Sequence, residues 1–527
     1  MSANGPMNDI TKSPLWSRLD AERDAVASTS LAAMFAADPG RTETLTQEFD
    51  GISVDLSRQR LRPETLSLLI DLAREGGVEA KRDAAFAGAL VNATEGRAVL
   101  HMALRDFSGL TNADAAAEAK EQRDAIIAFA DAVRDGRITG NGGARFTHAV
   151  NIGIGGSHLG PFTAATALAG ADQPLEVRYV ANVDGVGLST QLMGLDPETT
   201  LFMVASKTFT TAETMANARS ARDWLTSSLG EEAVAAHFCA LSTNTEAAAA
   251  FGIEAERVFP FADWVGGRFS LWSSIGLSIA LAVGGQAFEA LLKGAHAMDR
   301  HFMEAPLDRN LPVLLAVTDL WNRVFQGLAA RAVLPYDERL RMLPLHLQQL
   351  EMESNGKGVT LAGDPVAGPP GWVVFGSTGT NGQHSFHQLL HQGPEYVAAE
   401  FIGVAEPGHA LAGHHEMLLA SMLAQAEALA MGTIGVDDPH RRCPGNRPST
   451  VMLLRRLDPH HLGMLLALYE HKVMAEGAIW GINSFDQFGV ELGKVLAGPL
   501  LEALAHDAAP AHPASAASVA RLKRWRD

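Results

Sequence analysis

The feature that most constrains this chain is a repeated alternation of short apolar runs with stretches of helical periodicity. Thr147 to Ile154 (THAVNIGI) is the first such run, and it passes directly into glycines. Leu175 to Val183, Leu201 to Ala205, Cys239 to Ser242 and Val258 to Phe261 follow, with helical stretches between them. Parallel strands are covered on both faces, so they read as continuous apolar runs, and each needs a crossover to reach its neighbour. The pattern predicts an α/β fold with a doubly wound parallel sheet. It then recurs. Pro312 to Phe325 reads as helix, Ala332 to Pro335 as strand and Leu345 to Met352 as helix. Val373 to Phe375 and Phe401 to Val404 read as strands and Leu418 to Met431 as helix, with no close internal repeat.

At 527 residues the chain is too long for one ordinary core. Residues 1–110 read as a mostly helical N-terminal segment, with Pro63 to Arg74 opened by proline and Glu79 to Leu90 as a second helix. Asp114 to Asp135 is an Ala-rich amphipathic helix ending near Gly136. The expected organisation is a first α/β subdomain over 111–290, a second with C-terminal helices over 291–505, and a tail over 506–527. That tail is rich in Ala, Pro and His from His506 to Ser518, an extension ending in a short basic helix at Val519 to Arg526.

Composition removes several classes of function. Hydrophobic residues at 47% and charged residues at 19% supply a core, which excludes disorder as the main state. Forty-two basic against 60 acidic residues give −18, which argues against nucleic acid and anionic membrane as partners but not against a small anion. Cys239 and Cys443 are far apart and make neither a disulfide framework nor a zinc site. A reducing, cytoplasmic location is expected. No apolar run is long enough to span a membrane, and MSANGPMNDITKSPLW lacks the basic-then-apolar pattern of a secretory signal.

Six segments could carry chemistry. Gly153 to Pro161 (GIGGSHLGP) follows a strand and precedes a helix, so its amides, including those of Gly156 and Ser157, can approach an anion. It is no dinucleotide fingerprint, because the third glycine would fall at His158. A plain glycine turn packing a helix on a sheet would look the same. Ser206 to Thr214 (SKTFTTAET) lies just past a strand, where open α/β sheets bind ligands, and places four hydroxyls and Lys207 within six residues. An N-cap turn uses similar residues, but this density favours a phosphomonoester. Gly266 to Ser273 (GGRFSLWS) sets Arg268 between a Gly-Gly turn and an apolar helix. There it can hold charge that develops on oxygen, though a lone arginine more often pairs on the surface.

In Leu347 to Lys357 (LQQLEMESNGK), Glu351 and Glu353 lie about 200° apart on a helix, so one cleft can use only one of them. Gln349 shares the face of Glu353. A carboxylate there is either a general base or a solvated helix end. Gly379 to Gly393 (GTNGQHSFHQLLHQG) opens a helix near His384, an acid/base candidate. His387 and His391 have a metal-pair spacing, but no third ligand stands nearby, and no metal is expected. Finally, Gln487 and Lys494 in Asn483 to Val495 (NSFDQFGVELGKV) would share one face of a continuous helix. A capped helix with an exposed lysine is the plainer alternative.

Together these segments closely resemble the glucose-6-phosphate isomerase (phosphoglucose isomerase) family, in its order, from about Asn151 to Lys494. GIGGSxLGP, SKTFTTxET, GGRFSLWS, LQQLxMESNGK, GTNGQH and FDQxGVELGK are specific in combination. The resemblance implies two sugar-isomerase (SIS) subdomains and reversible isomerisation of glucose 6-phosphate and fructose 6-phosphate, without metal, nucleotide or other cofactor. It implies that Gly156, Ser157, Ser206, Lys207, Thr208 and Thr211 hold the phosphate. Glu353 would be the base acting through a cis-enediol, and Arg268 would stabilise its charge. His384 with Lys494 would assist ring opening, Gln349 and Gln487 would position the sugar, and Glu213 would stand behind them. A homodimer is implied, with His384 contributed by the neighbouring subunit. His158 stands where an acidic residue is expected, and His387 where an aromatic is. A related isomerase preferring another sugar phosphate, such as mannose 6-phosphate, and a non-catalytic sugar-phosphate-binding regulator are the alternatives. The second has no need of Glu353.

Overall fold

The computed structural model describes residues 9–170, 173–506, 510 and 512–526. The strands are β1 (Thr46–Phe49), β2 (Ile52–Asp55), β3 (His148–Ile152), β4 (Glu176–Val180), β5 (Thr200–Ala205), β6 (Phe238–Leu241), β7 (Ala330–Tyr336), β8 (Val373–Gly376), β9 (Ala398–Val404) and β10 (Ser449–Leu454). One sheet has the order β4-β3-β5-β6 and is parallel throughout. The other has the order β1-β2-β10-β9-β7-β8, and its β10-β9-β7-β8 portion is also parallel. Numbered from its own first strand, each parallel set runs 2-1-3-4. The recurring alternation is therefore one topology used twice, flanked by helices in both cases.

Burial explains why these strands were readable. Every residue of β5 and β6 is buried, with Phe202 and Phe238 stacked at 4.8 Å in the core. Ile152 of β3 pairs with Val204 of β5, so these strands end level. The chain leaves β3 for β4 on one side and reaches β5 on the other, which makes the β3/β5 edge the switch point where open α/β sheets bind ligands. Gly155–Ser157 and Ser206–Thr211 emerge at that edge.

Several expectations need correction. The N-terminal segment is not all helical. β1 and β2 form an antiparallel hairpin that extends the larger sheet through β10. Its turn is Asp50-Gly51, both at positive φ (44° and 83°), the geometry that Asp-Gly supplies in tight hairpins. Val258 to Phe261 forms no strand; Val258 makes only a single bridge to Ala240. The expected helix over Pro312 to Phe325 is α-helical only over Leu311–Leu320 and continues as a π-helical turn, Trp321–Phe325.

The helix Pro459–Ile479 crosses the interior, buried at every residue from His461 onward. It packs on the helix Gly285–Glu304 where both lack side chains: a Cβ on Gly463 would lie 2.0 Å from the Leu291 carbonyl oxygen.

The chain divides between Ser484 and Phe485 into two compact units. The second holds the short turn Phe488–Val490 and the helices Glu491–Ala505 and Pro513–Arg526. Its last helix is longer than the expected Val519 to Arg526. Residues 507–509 and 511 of the expected extension, and residues 1–8 of the N-terminal segment, lie outside the described residues. Among the described residues no helix is long and apolar enough to cross a membrane.

Candidate active site

Three segments far apart in sequence meet beside the β3/β5 edge. Gly156 lies against Gly267 so closely that a Cβ on it would sit 1.9 Å from the Gly267 carbonyl oxygen, so only glycine fits. A Cβ on Gly155 would come within 3.0 Å of Gln349 Nε2. The loop after β3, the Arg268 segment and the Glu353 segment therefore enclose one cleft.

The loop after β5 is tied to the same place. Ser206 is buried and its hydroxyl donates to Thr211 Oγ1 at 3.1 Å, while the Thr208 and Thr210 hydroxyls share a 2.6 Å bond. Phe209 adopts positive φ (56°) and is buried, which turns the loop back so that these hydroxyls cluster. Glu213 stands in the first turn of the helix that follows, Ala212–Leu229. Lys207 is not poised in open solvent. Its ammonium donates to the Asp263 carbonyl at 2.9 Å and pairs with the Asp263 carboxylate at 3.1 Å, which holds that carboxyl below its usual range. Asp263 was not singled out from sequence, because nothing local links it to Lys207.

The Glu353 segment is a helix only in part. Leu343–Leu347 is α-helical, and Gln348–Glu353 widens into a π-helical turn of the kind frequent at functional sites. The expected division of the two carboxylates holds. Glu351 is buried, whereas the Glu353 side chain keeps 22% of its accessible surface. Gln349 Nε2 donates to Glu353 Oε2 at 3.1 Å, and Arg268 Nη1 lies 3.6 Å from the same oxygen. Arg268 is itself buried and fixed, donating to Ser354 Oγ at 2.5 Å and to the Ser484 carbonyl at 2.6 Å. Ser354 and Ser484 are thus site residues that sequence reasoning missed, although both lie inside segments it had marked. A buried cation facing a half-buried carboxylate can do two things: the carboxylate can take a proton, and the cation can hold charge that then grows on an adjacent oxygen.

His384, Gln487 and Lys494 are carried by other elements. His384 ends the short 3-10 turn Asn381–His384 rather than opening a helix; the α-helix begins at His387. Its imidazole is exposed and makes no hydrogen bond or ion pair among the described residues. Lys494 and Gln487 belong to the second unit. Gln487 precedes the turn Phe488–Val490, and Lys494 lies exposed on Glu491–Ala505, so one continuous helix does not carry both.

The two unusual histidines are packing residues. The His158 ring sits 5.2 Å from Phe162 and 5.9 Å from Tyr179, and burial pushes its pKa down to about 4, so it is neutral near pH 7. His387 Nδ1 and His391 Nε2 both donate to Gln425 Oε1, at 3.0 and 2.8 Å. An amide oxygen only accepts, so the pair is bridged by a side chain. Among the described residues no group of three metal-ligating side chains occurs.

The phosphoglucose isomerase family model matches residues 55–520. A protein of Roseiflexus sp. (strain RS-1) named glucose-6-phosphate isomerase is 49% identical over 536 residues, covering 99% of each chain. One of that name from Mesorhizobium japonicum is 50% identical over 518 residues, covering 93% of this chain and 94% of its own. The crystal structure of a glucose-6-phosphate isomerase from Chlamydia trachomatis superposes with a TM-score of 0.87 at 32% identity, covering 99% of this chain and all of that one.

Proposed function

The chain belongs to the phosphoglucose isomerase family and interconverts glucose 6-phosphate and fructose 6-phosphate, and we propose that Glu353 is the base of that reaction. The observation that carries this is the 3.6 Å approach of Arg268 to the Glu353 carboxylate beside the glycine loop. In the open-chain aldose, Glu353 takes the proton from C2. The electron pair moves onto the C1 carbonyl oxygen, and the C2 hydroxyl proton passes to that oxygen, giving a cis-enediol intermediate whose charge then rests on O2. Returning the proton to C1, with a carbonyl now at C2, completes the ketose. Arg268 stabilises the negative charge that builds on the enediol oxygens, in a site where burial strengthens electrostatics.

The sugar phosphate is held by the Gly156 and Ser157 amides and by the Ser206, Thr208 and Thr211 hydroxyls, with Lys207 adding charge. This distant group supplies binding energy that orients C1 and C2. Gln349 and Gln487 position the sugar, and His384 with Lys494 moves protons during ring opening. Glu213 stands behind this shell. The exposure of His384 suits a role in a partner's site, so the active form is a homodimer. Two unpaired cysteines, Cys239 and Cys443, fit a cytoplasmic location.

Glu353→Gln should lower kcat about 10²- to 10⁴-fold while still binding a hexitol 6-phosphate, which lacks the carbonyl. Full turnover by that variant would remove the base assignment. Excess chelator should leave wild-type turnover unchanged. Mixing inactive Glu353→Gln and His384→Ala subunits should restore about a quarter of wild-type turnover by random pairing; no recovery in verified mixed dimers would place His384 in its own subunit's site.

A further inference from the structure

Directly behind the proposed base lies a set of buried charges that the reaction does not use. Glu351 Oε1 accepts from Arg331 of β7, and Glu351 Oε2 accepts from Lys472 Nζ of the helix Pro459–Ile479 at 3.1 Å. Asp319 joins the set, bonding Arg331 at 2.5 Å and Lys472 at 2.7 Å, and Lys472 also pairs with Glu476 at 2.9 Å while Glu400 lies 4.0 Å from Arg331. Arg331 and Lys472 are almost wholly buried. We propose that Glu351 is a positioning residue: its double anchor to Arg331 and Lys472 fixes the rotation of the π turn Gln348–Glu353, and thereby aims Glu353 at Arg268 and the substrate. This rests on the reading of Glu353 as the base.

Glu351 and Glu353 project to opposite sides of one turn, so fixing one carboxylate sets the direction of the other. A π turn has the poorer helical hydrogen bonding of a rare conformation and needs support from outside. That support continues on the other side of Glu353. Ser354 receives Arg268 at 2.5 Å, and Asn355 Nδ2 donates to the Val473 carbonyl at 3.2 Å and to Glu476 Oε2 at 2.9 Å. Glu353 is thus bracketed by held residues at 351, 354 and 355, while its own carboxylate faces the cleft. Stability alone is a weak reason for such a cluster, because apolar residues of the same volume often serve as well as a buried ion pair. Fixing one rotation among several is what two cations on a single carboxylate achieve and a greasy contact does not.

The test compares Glu351→Gln, Glu351→Asp and Glu353→Gln as purified dimers, with active sites counted by binding of a hexitol 6-phosphate. Glu351→Gln keeps the shape but presents an amide N–H to one of the two cations. Its kcat per binding site should fall about 10- to 100-fold, the effect of an ångström-scale misplacement, with KM and the hexitol phosphate Kd within about twofold. Glu351→Asp, which restores the charge, should recover part of that loss. Should Glu351→Gln fail to fold, Arg331→Lys keeps the cation without its two-pronged geometry, and the same split is expected. Wild-type kcat per site in the folded variant, or a parallel loss of binding, overturns the proposal. Glu353→Gln separates the two readings. If it is inactive while Glu351→Gln is fully active, only positioning fails; if it is fully active, the base reading fails.

Discussion

The two ends of the cleft are held together by different means. At the loop end, Asn151 bonds Ser157 and Ser206 bonds Thr211, partners six and five residues apart in the chain. At the turn end the separations are of another order: 86 residues from Arg268 to Ser354, 121 from Glu351 to Lys472, and 198 from Trp272 to Glu470. The loop end is built mainly of neutral hydroxyls and amides at a sheet edge, with Lys207 paired to Asp263 beside them. The turn end is built of buried charge. An anion needs a ring of donors, which a short loop can supply by itself. Proton transfer needs two groups at a fixed separation, which here only the tertiary fold provides.

That contrast can be tested by asking which kinetic constant each end controls. The largest effect belongs to the turn. Arg268→Met removes the cation facing Glu353 and, on the proposed role, should lower kcat about 10²- to 10³-fold with a small change in KM. A rise in KM with kcat intact would move Arg268 to the binding side. The loop should respond the other way. Ser206→Ala with Thr211→Ala removes two donors to a charged group and should raise KM about 10-fold or more, leaving kcat nearly unchanged. Equal losses in kcat and kcat/KM would erase the distinction between the ends.

The smallest effect concerns stability and pH. Glu470 accepts from Trp272, at the end of the Arg268 segment, at 2.7 Å and from Arg105 at 2.6 Å. Burial nevertheless raises its pKa to about 7, and the negative charge of Asp299, which shares the Arg105 guanidinium, adds to the rise. A carboxyl raised in the folded state holds a proton that the unfolded chain has released. Stability therefore falls as pH rises from about 4.5 to about 7, by at most about 3 kcal/mol for this group. Glu470→Gln mimics the protonated form and should flatten that slope in denaturant titrations at several pH values. An unchanged slope would show that Glu470 is ionised throughout.

The same contrast explains what could be read from sequence. The parallel strands were legible because β5 and β6 are buried on both faces and so are unbroken apolar runs. Hydroxyl and glycine loops were legible because their chemistry is local. The hairpin was not, since Thr46–Phe49 and Ile52–Asp55 are short and partly polar, although Asp50-Gly51 was its signal. The helix Pro459–Ile479 was hidden for the opposite reason. Buried all round, it shows no amphipathic period, and it carries Glu470, His471, Lys472 and Glu476 inward. Those charges have partners on other helices and turns, among them Arg105, Asp299, Asp319 and Glu351, so no window of sequence contains the arrangement that holds Glu353. Gln487 and Lys494 would share a face only on one continuous helix; Gln487 instead caps the turn Phe488–Val490 and Lys494 lies exposed on the helix after it, the plainer of the two alternatives.

The role proposed for Glu353 is to carry the proton between C1 and C2. It is tested most directly by isomerising fructose 6-phosphate in deuterium oxide and following carbon-bound deuterium by NMR. The wild-type enzyme should place deuterium at C1 of the ketose and C2 of the aldose through exchange on the base. Glu353→Gln should place it at either carbon at least about 10²-fold more slowly while binding a hexitol 6-phosphate normally. Deuterium entering at the wild-type rate in that variant would contradict the account.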